Sequence, residues 1–123
     1  KERVGYGNFW EYPTRQVMEK FLADGKELPE AIICCNDVMA MAACKCLAEK
    51  GYSVPDDISV VGYDNFLISD IAEPQITTIS VDAAELADAS VSLLMDRINN
   101  PLKKSEIRSI NGELEIKNSV RRI

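Results

Sequence analysis

The 123-residue chain contains no histidine. That removes the commonest general base and the commonest metal ligand, and no Ser–His–Asp or Cys–His arrangement can be assembled from these residues. Nucleophile-elbow, P-loop and dinucleotide-type glycine motifs are missing as well. The paired acids Asp56-Asp57 and Glu73 sit in loop contexts and read as solvated. No catalysis, metal or cofactor is therefore expected. No apolar run approaches the roughly 18 residues needed to span a bilayer, so no membrane partner is expected. Basic residues are outnumbered 14 to 20, for a formal net charge of −6. Without a basic stripe, this stretch of chain is a poor candidate for touching nucleic-acid phosphates itself.

What is present suits one globular unit. Hydrophobic residues make up 46% and charged residues 28%, an ordinary soluble composition. The length is that of a little less than one typical domain. The chain starts at Lys1-Glu2-Arg3, charged and without Met, and leads into no signal-peptide core; a piece of a longer protein is expected. Four cysteines, Cys34, Cys35, Cys44 and Cys46, form no CxxC knuckle. They read as buried, reduced thiols acting as small apolar residues, which fits a reducing cytoplasm.

Strand-like and helix-like segments alternate along the sequence, with no repeat and no long linker. Arg3 to Phe9 is a strand candidate broken by Gly5 and Gly7. Pro13 fits the first turn of a helix carrying Val17, Met18, Phe21 and Leu22 and ended by Gly25. Ala31 to Cys35 is a buried-strand run, followed by a helix to about Lys50 that Gly51 stops. Ile58 to Tyr63 is a second buried strand, Asp64 to Pro74 a loop, and Ile76 to Ile79 a third strand. Asp82 caps a helix whose Leu86, Ala87, Val91, Leu94, Met95 and Ile98 share one face. Ile107 to Ile110 and Leu114 to Ile116 are expected to pair around the turn dipeptide Asn111-Gly112. This alternation predicts an α/β fold with a mainly parallel sheet in three α/β/α layers.

In such sheets ligands bind beyond the carboxyl ends of the strands. Asn36-Asp37 and Asp64-Asn65 both fall there. Asn36 and Asp37 can cap the following helix, and a cap needs only one of them, leaving the other free for a ligand. Asp64 is either a turn residue or a carboxylate accepting from the hydroxyls of a polyol. Phe9, Trp10 and Tyr12 offer aromatic faces that belong either to the core or over a ligand. The helix from Val38 to Leu47, V-M-A-M-A-A-C-K-C-L, is apolar nearly all round. It is either covered within the domain or meets a partner subunit through Met41 and Cys44, with Phe66 and Ile71 of the nearby loop.

Three segments together resemble a known family. Ala31 to Ala40 matches its strand, Asn-Asp and apolar helix; Val54 to Asn65 matches V-P-x-D-[IV]-S-[VL]-[VI]-G-[FY]-D-[DN]; Pro74 to Ile79 matches P-x-L-T-T-[IV]. The closing Leu114 to Val120 resembles L-x-x-R-x-S-[VT]. In order and over nearly the whole chain, these resemble the effector-binding domain of lactose/galactose-repressor (LacI/GalR) type transcription regulators, which share their fold with periplasmic sugar-binding proteins. The resemblance implies that Phe9, Asn36 and Asp64 contact a small-molecule effector, a sugar or derivative; their neighbours Trp10, Asp37 and Asn65 are weaker candidates by position. Ala83 stands where some members place a pocket aromatic, so that wall is expected to be more open. Lys117 stands where many members have Arg, so that local contact is expected to differ. The resemblance also implies a homodimer and operator DNA bound through an N-terminal helix-turn-helix absent from these residues. Residues 1–79 would form the C-terminal subdomain core, and 80–123 a crossover helix and closing strands. The alternatives are a periplasmic-type sugar-binding protein of a transport or sensing system, which a signal peptide in the whole gene would favour, and a fragment of an α/β enzyme.

Overall fold

The computed structural model describes residues 3–25 and 27–122; Lys1 and Glu2 of the charged start lie outside the described residues. The elements run α1 (Glu11–Ala23), β1 (Ala31–Ile33), α2 (Asp37–Glu49), β2 (Ser59–Val61), α3 (Leu67–Ile71), β3 (Thr78–Ser80), α4 (Ala83–Asn99) and β4 (Glu113–Glu115).

β1 and β2 pair in parallel, Ile32 opposite Val60, and Thr77 continues the sheet through a parallel bridge to Val61. β4 then lies antiparallel to β3, Leu114 opposite Ile79. The core sits between this sheet and α2. Ala40, Ala43, Leu47, Ile58, Val60 and Ile76 are buried there, with Met18 of α1 closing the far side. Small residues let α2 lie close to both neighbours, since alanine and cysteine add little volume between backbones. Both helix ends predicted from glycine are found: Gly25 and Gly51 follow α1 and α2 with φ of 64° and 83°, the left-handed conformation that satisfies the last carbonyls.

Four expectations need correction. Arg3–Phe9 forms no strand. The segment instead lies against α1, where a Cβ on Gly5 would overlap Val17 and one on Gly7 would overlap Thr14. Residues 107–110 form no hairpin with the closing strand; the available edge of β3 takes Glu113–Glu115, and Gly112 fits tightly over Ile79. The 64–74 loop contains the one-turn helix α3, too short for periodicity to reveal. Cys44 faces inward among the core residues and is buried within the chain, so it belongs to the core and not to an outer contact face. Met41 on the same helix also packs partly against the core.

None of the residues of α4 is buried, and Leu86, Val91, Leu94, Met95 and Ile98 are exposed. The predicted cap is present: Asp82 Oδ1 accepts from the backbone N–H of Ala84 and Glu85. Among the described residues no helix is long and apolar enough to cross a membrane.

Candidate functional site

The amino end of α2 sits beyond the carboxyl ends of β1 and β2, and its first two residues divide the work. Asn36 is 8% exposed. Its Oδ1 accepts from the Met39 N–H at 2.9 Å, capping the helix, and its Nδ2 donates to the Phe9 carbonyl at 3.1 Å. Asp37 is fully buried at 0%. Its Oδ2 accepts from the Phe66 N–H at 2.8 Å and its Oδ1 from the Thr78 hydroxyl at 2.6 Å. A Cβ on Gly62 would overlap Asp37 Oδ1, so only glycine lets β2 run past the carboxylate. The two adjacent side chains thus hold two separate loops to one helix end.

Both loops carry strained backbone. Asn8 and Phe9 have φ of 49° and 63°; Asp64 and Asn65 have 99° and 51°. Left-handed non-glycine residues are uncommon and cost on the order of 1–3 kcal/mol each. The hydrogen bonds from Asn36 and Asp37 fix the chain beside each pair. Phe9 and Trp10 stand 60% and 70% exposed, although large aromatic side chains ordinarily contribute to cores.

Asp64 is half-buried, and its main-chain N–H donates to the Ile79 carbonyl at 3.0 Å. Its carboxyl is held above the ordinary aspartate value, first by desolvation and then by the nearby Asp37 carboxylate. Asn65 is spent internally. Its N–H donates to the Thr78 hydroxyl at 3.3 Å, its Nδ2 to Ser80 Oγ at 3.3 Å, and its Oδ1 accepts from Lys117 Nζ at 2.9 Å.

The six sequence-predicted residues therefore separate. Phe9, Trp10 and Asp64 carry groups free to meet a ligand, and Asn36 supports the Phe9 loop while keeping slight access. Asp37 is corrected: buried and doubly bonded, it is a support for the site and not a contact. Asn65 likewise has its side chain committed to Ser80 and Lys117. Ala83 opens α4 and is exposed. Phe66 and Ile71 are exposed, as is Leu67 between them. Thr78, Ser69 and Ser119 were missed by sequence reasoning. All three are buried hydroxyls with partners, and small hydroxyl residues in apolar surroundings are the one signal that could have found them. Among the described residues, no group of three or more His, Cys, Asp and Glu could hold a metal ion.

A parallel sheet whose strand ends carry a strained aromatic loop and a half-buried carboxylate has the layout of α/β domains that bind ligands at that edge. The chain belongs to the periplasmic binding protein-like domain family, whose model matches residues 3–120. Its relatives are LacI-type regulators. It is 45% identical over 106 residues to the HTH-type transcriptional repressor PurR of Histophilus somni, across 86% of this chain and 32% of that protein. Its fold is similar to that of the transcriptional regulator CelR in complex with cellobiose, with a TM-score of 0.85, 27% identity, and 93% and 35% of the two chains covered. It is also similar to a LacI family regulator from Enterococcus faecium with bound ribose, with a TM-score of 0.76, 30% identity, and 91% and 41% covered. The chain spans about a third of the length of the curated relatives it matches.

Proposed function

We propose that this chain supplies one wall of the effector cleft and part of the dimer face of a LacI-type transcriptional repressor in the cytoplasm. Residues 1–79 form the subdomain that carries the site, and 80–123 the crossover helix and closing strands. The effector is a small polar metabolite of the sugar class. The observation that carries this reading is the pairing of supports at one helix end: Asn36 holds the Phe9 loop and Asp37 holds the Asp64 loop. Phe9 then offers a flat apolar face and Asp64 an acceptor for hydroxyls or ring N–H groups, the two contacts a pyranose or furanose needs. The regulators solved with cellobiose and ribose support a sugar, and the repressor relatives favour gene regulation over transport. Effector binding would act on operator affinity only through different affinities for two arrangements of the whole protein.

The test is made on the product of the whole gene. D-ribose, cellobiose and lactose are titrated calorimetrically, and binding to the DNA upstream of its own gene is followed with and without each. A ligand that both binds and shifts DNA affinity supports the reading. Ligand binding with no DNA affinity under any condition would move the protein to the sensing or transport class.

A further inference from the structure

Lys117 sits just beyond β4, and its side chain is 14% exposed. Its ammonium meets three acceptors from two neighbouring elements: Asn65 Oδ1 at 2.9 Å, Ser69 Oγ at 2.7 Å and Asp70 Oδ1 at 2.6 Å. A lysine ammonium has three donors, so all three are used and none is left for a ligand. The main chain is fixed too, since the Lys117 N–H donates to Thr77 Oγ1 at 2.9 Å. Ser69, which accepts from Lys117, donates onward to the Phe66 carbonyl at 2.8 Å. One cation thus joins the left-handed Asp64–Asn65 turn to the helix whose outer side exposes Leu67 and Ile71, beside the 3.2 Å contact of Ser69 Oγ with Asn65 Oδ1.

We propose that Lys117 is a positioning residue whose ammonium locks the Asp64–Asn65 turn to α3, so that the ligand-facing carboxylate and the exposed apolar side of α3 move as one body. This rests on the reading of Asp64 as an effector contact. A cation suits the role because a charged hydrogen bond is about twice as strong as a neutral one. Three acceptors in separate positions also call for a cation with several donors, which lysine and arginine both provide. A shift of Asp64 on ligand binding then reaches Leu67 and Ile71 through a chain of bonded atoms, which is the physical requirement for coupling.

The experiment is amide hydrogen exchange on the whole protein carrying Lys117→Met or Lys117→Arg. Methionine keeps the aliphatic stem and removes every donor; arginine keeps charge and donors. We expect Lys117→Met to speed exchange at Asn65, Phe66, Ser69 and Ala72 at least tenfold. The Val60 amide, bonded to Ser119, should stay at the wild-type rate, and Lys117→Arg should retain most of the protection. Wild-type protection in the Met variant would reduce Lys117 to a packing stem and overturn the proposal, and so would uniform acceleration along the chain. Should Lys117→Met fail to fold, Asp70→Asn removes only the charged partner. It should produce a smaller rise at the same four amides, and no rise there would overturn the proposal. Exchange needs no effector, so a wrong effector assignment for Asp64 would appear separately, as an Asp64 variant with normal ligand response.

Discussion

Asn36 reaches across 27 positions to Phe9, donating to its carbonyl at 3.1 Å while capping α2 through the Met39 N–H at 2.9 Å. The two uses can be separated by substitution. Asn36→Ala loses both and should cost about 1–2 kcal/mol in urea unfolding. Asn36→Ser keeps a capping oxygen and should stay within about 0.5 kcal/mol of wild type. It cannot bond Phe9, so effector binding should weaken in both variants. A serine variant with full affinity would show that the Phe9 tie contributes nothing to binding.

Asp64→Asn should trade function against stability. The Asp64 carboxyl titrates above its ordinary value because burial, and then Asp37, disfavour its charge. A folded pKa above the unfolded one means that the protonated form favours folding. That contribution is complete below the ordinary value of 3.8 and is lost as pH rises through the folded value. At neutral pH the charge therefore weighs against the fold. Asparagine, which tolerates the left-handed backbone, should leave the melting temperature equal or higher while abolishing the effector response. A lower melting temperature would contradict this account.

Asp37→Ala should be among the most damaging single changes in the chain. It strands the Phe66 N–H and the buried Thr78 hydroxyl together, at roughly 1–3 kcal/mol for each unsatisfied group. Gly62→Ala should destabilise for the complementary reason, by driving a methyl into the same carboxylate. Denaturant midpoints for both test this directly.

Much of this was legible in advance. Asn36 and Asp64 stand out as candidates because motif and strand-end position coincide, Phe9 through the family motif alone, since the strand expected to end there does not form, and both glycine stops are legible because their backbone requirement is local. The division of labour between Asn36 and Asp37 was not legible. It depends on Gly62, Phe66 and Thr78 arriving from distant segments, and no spacing rule encodes that. The apolar α2 sequence left two readings open, and Cys44 shows why: an all-round apolar helix is here wrapped by α1, the sheet and α3. The failed 107–110 strand turned on competition for one edge of β3, which is a tertiary decision.

The cysteines should react in a set order. Cys35 is exposed, against the expectation of four buried thiols, whereas Cys34 and Cys44 are pushed up to about 12, chiefly by burial, and Cys46 is raised by burial as well. One thiol should react with iodoacetamide in the folded protein at pH 8, and all four in urea. The same shifts set an alkaline limit. Between the ordinary thiol value of 9.0 and about 12, the unfolded chain gives up protons that the folded one retains. Stability should therefore fall steadily across that window, as urea midpoints from pH 8 to 11 would record.

Leu67→Glu tests α3 as a contact between subunits. Leu67 is exposed, so the charge should leave monomer stability within about 0.5 kcal/mol. Sedimentation should show weaker self-association if α3 lies in the dimer face. Met41→Glu asks the same of α2: weaker self-association would put Met41 in the contact, unchanged self-association would leave the helix covered within the domain, and its partial burial against the core adds a cost in folding either way.

The adjacent supports at the start of α2 also bear on redesign. Phe9 and Asp64 are held by their main chains or their neighbours', through groups set behind the loops. The side chains that would read the ligand can be exchanged without undoing what positions them. A sensor for a new metabolite would accordingly be sought by varying positions 9, 10 and 64 with Asn36, Asp37, Gly62 and Lys117 left untouched. β-branched residues would be kept out of positions 9 and 64, where φ is 63° and 99°.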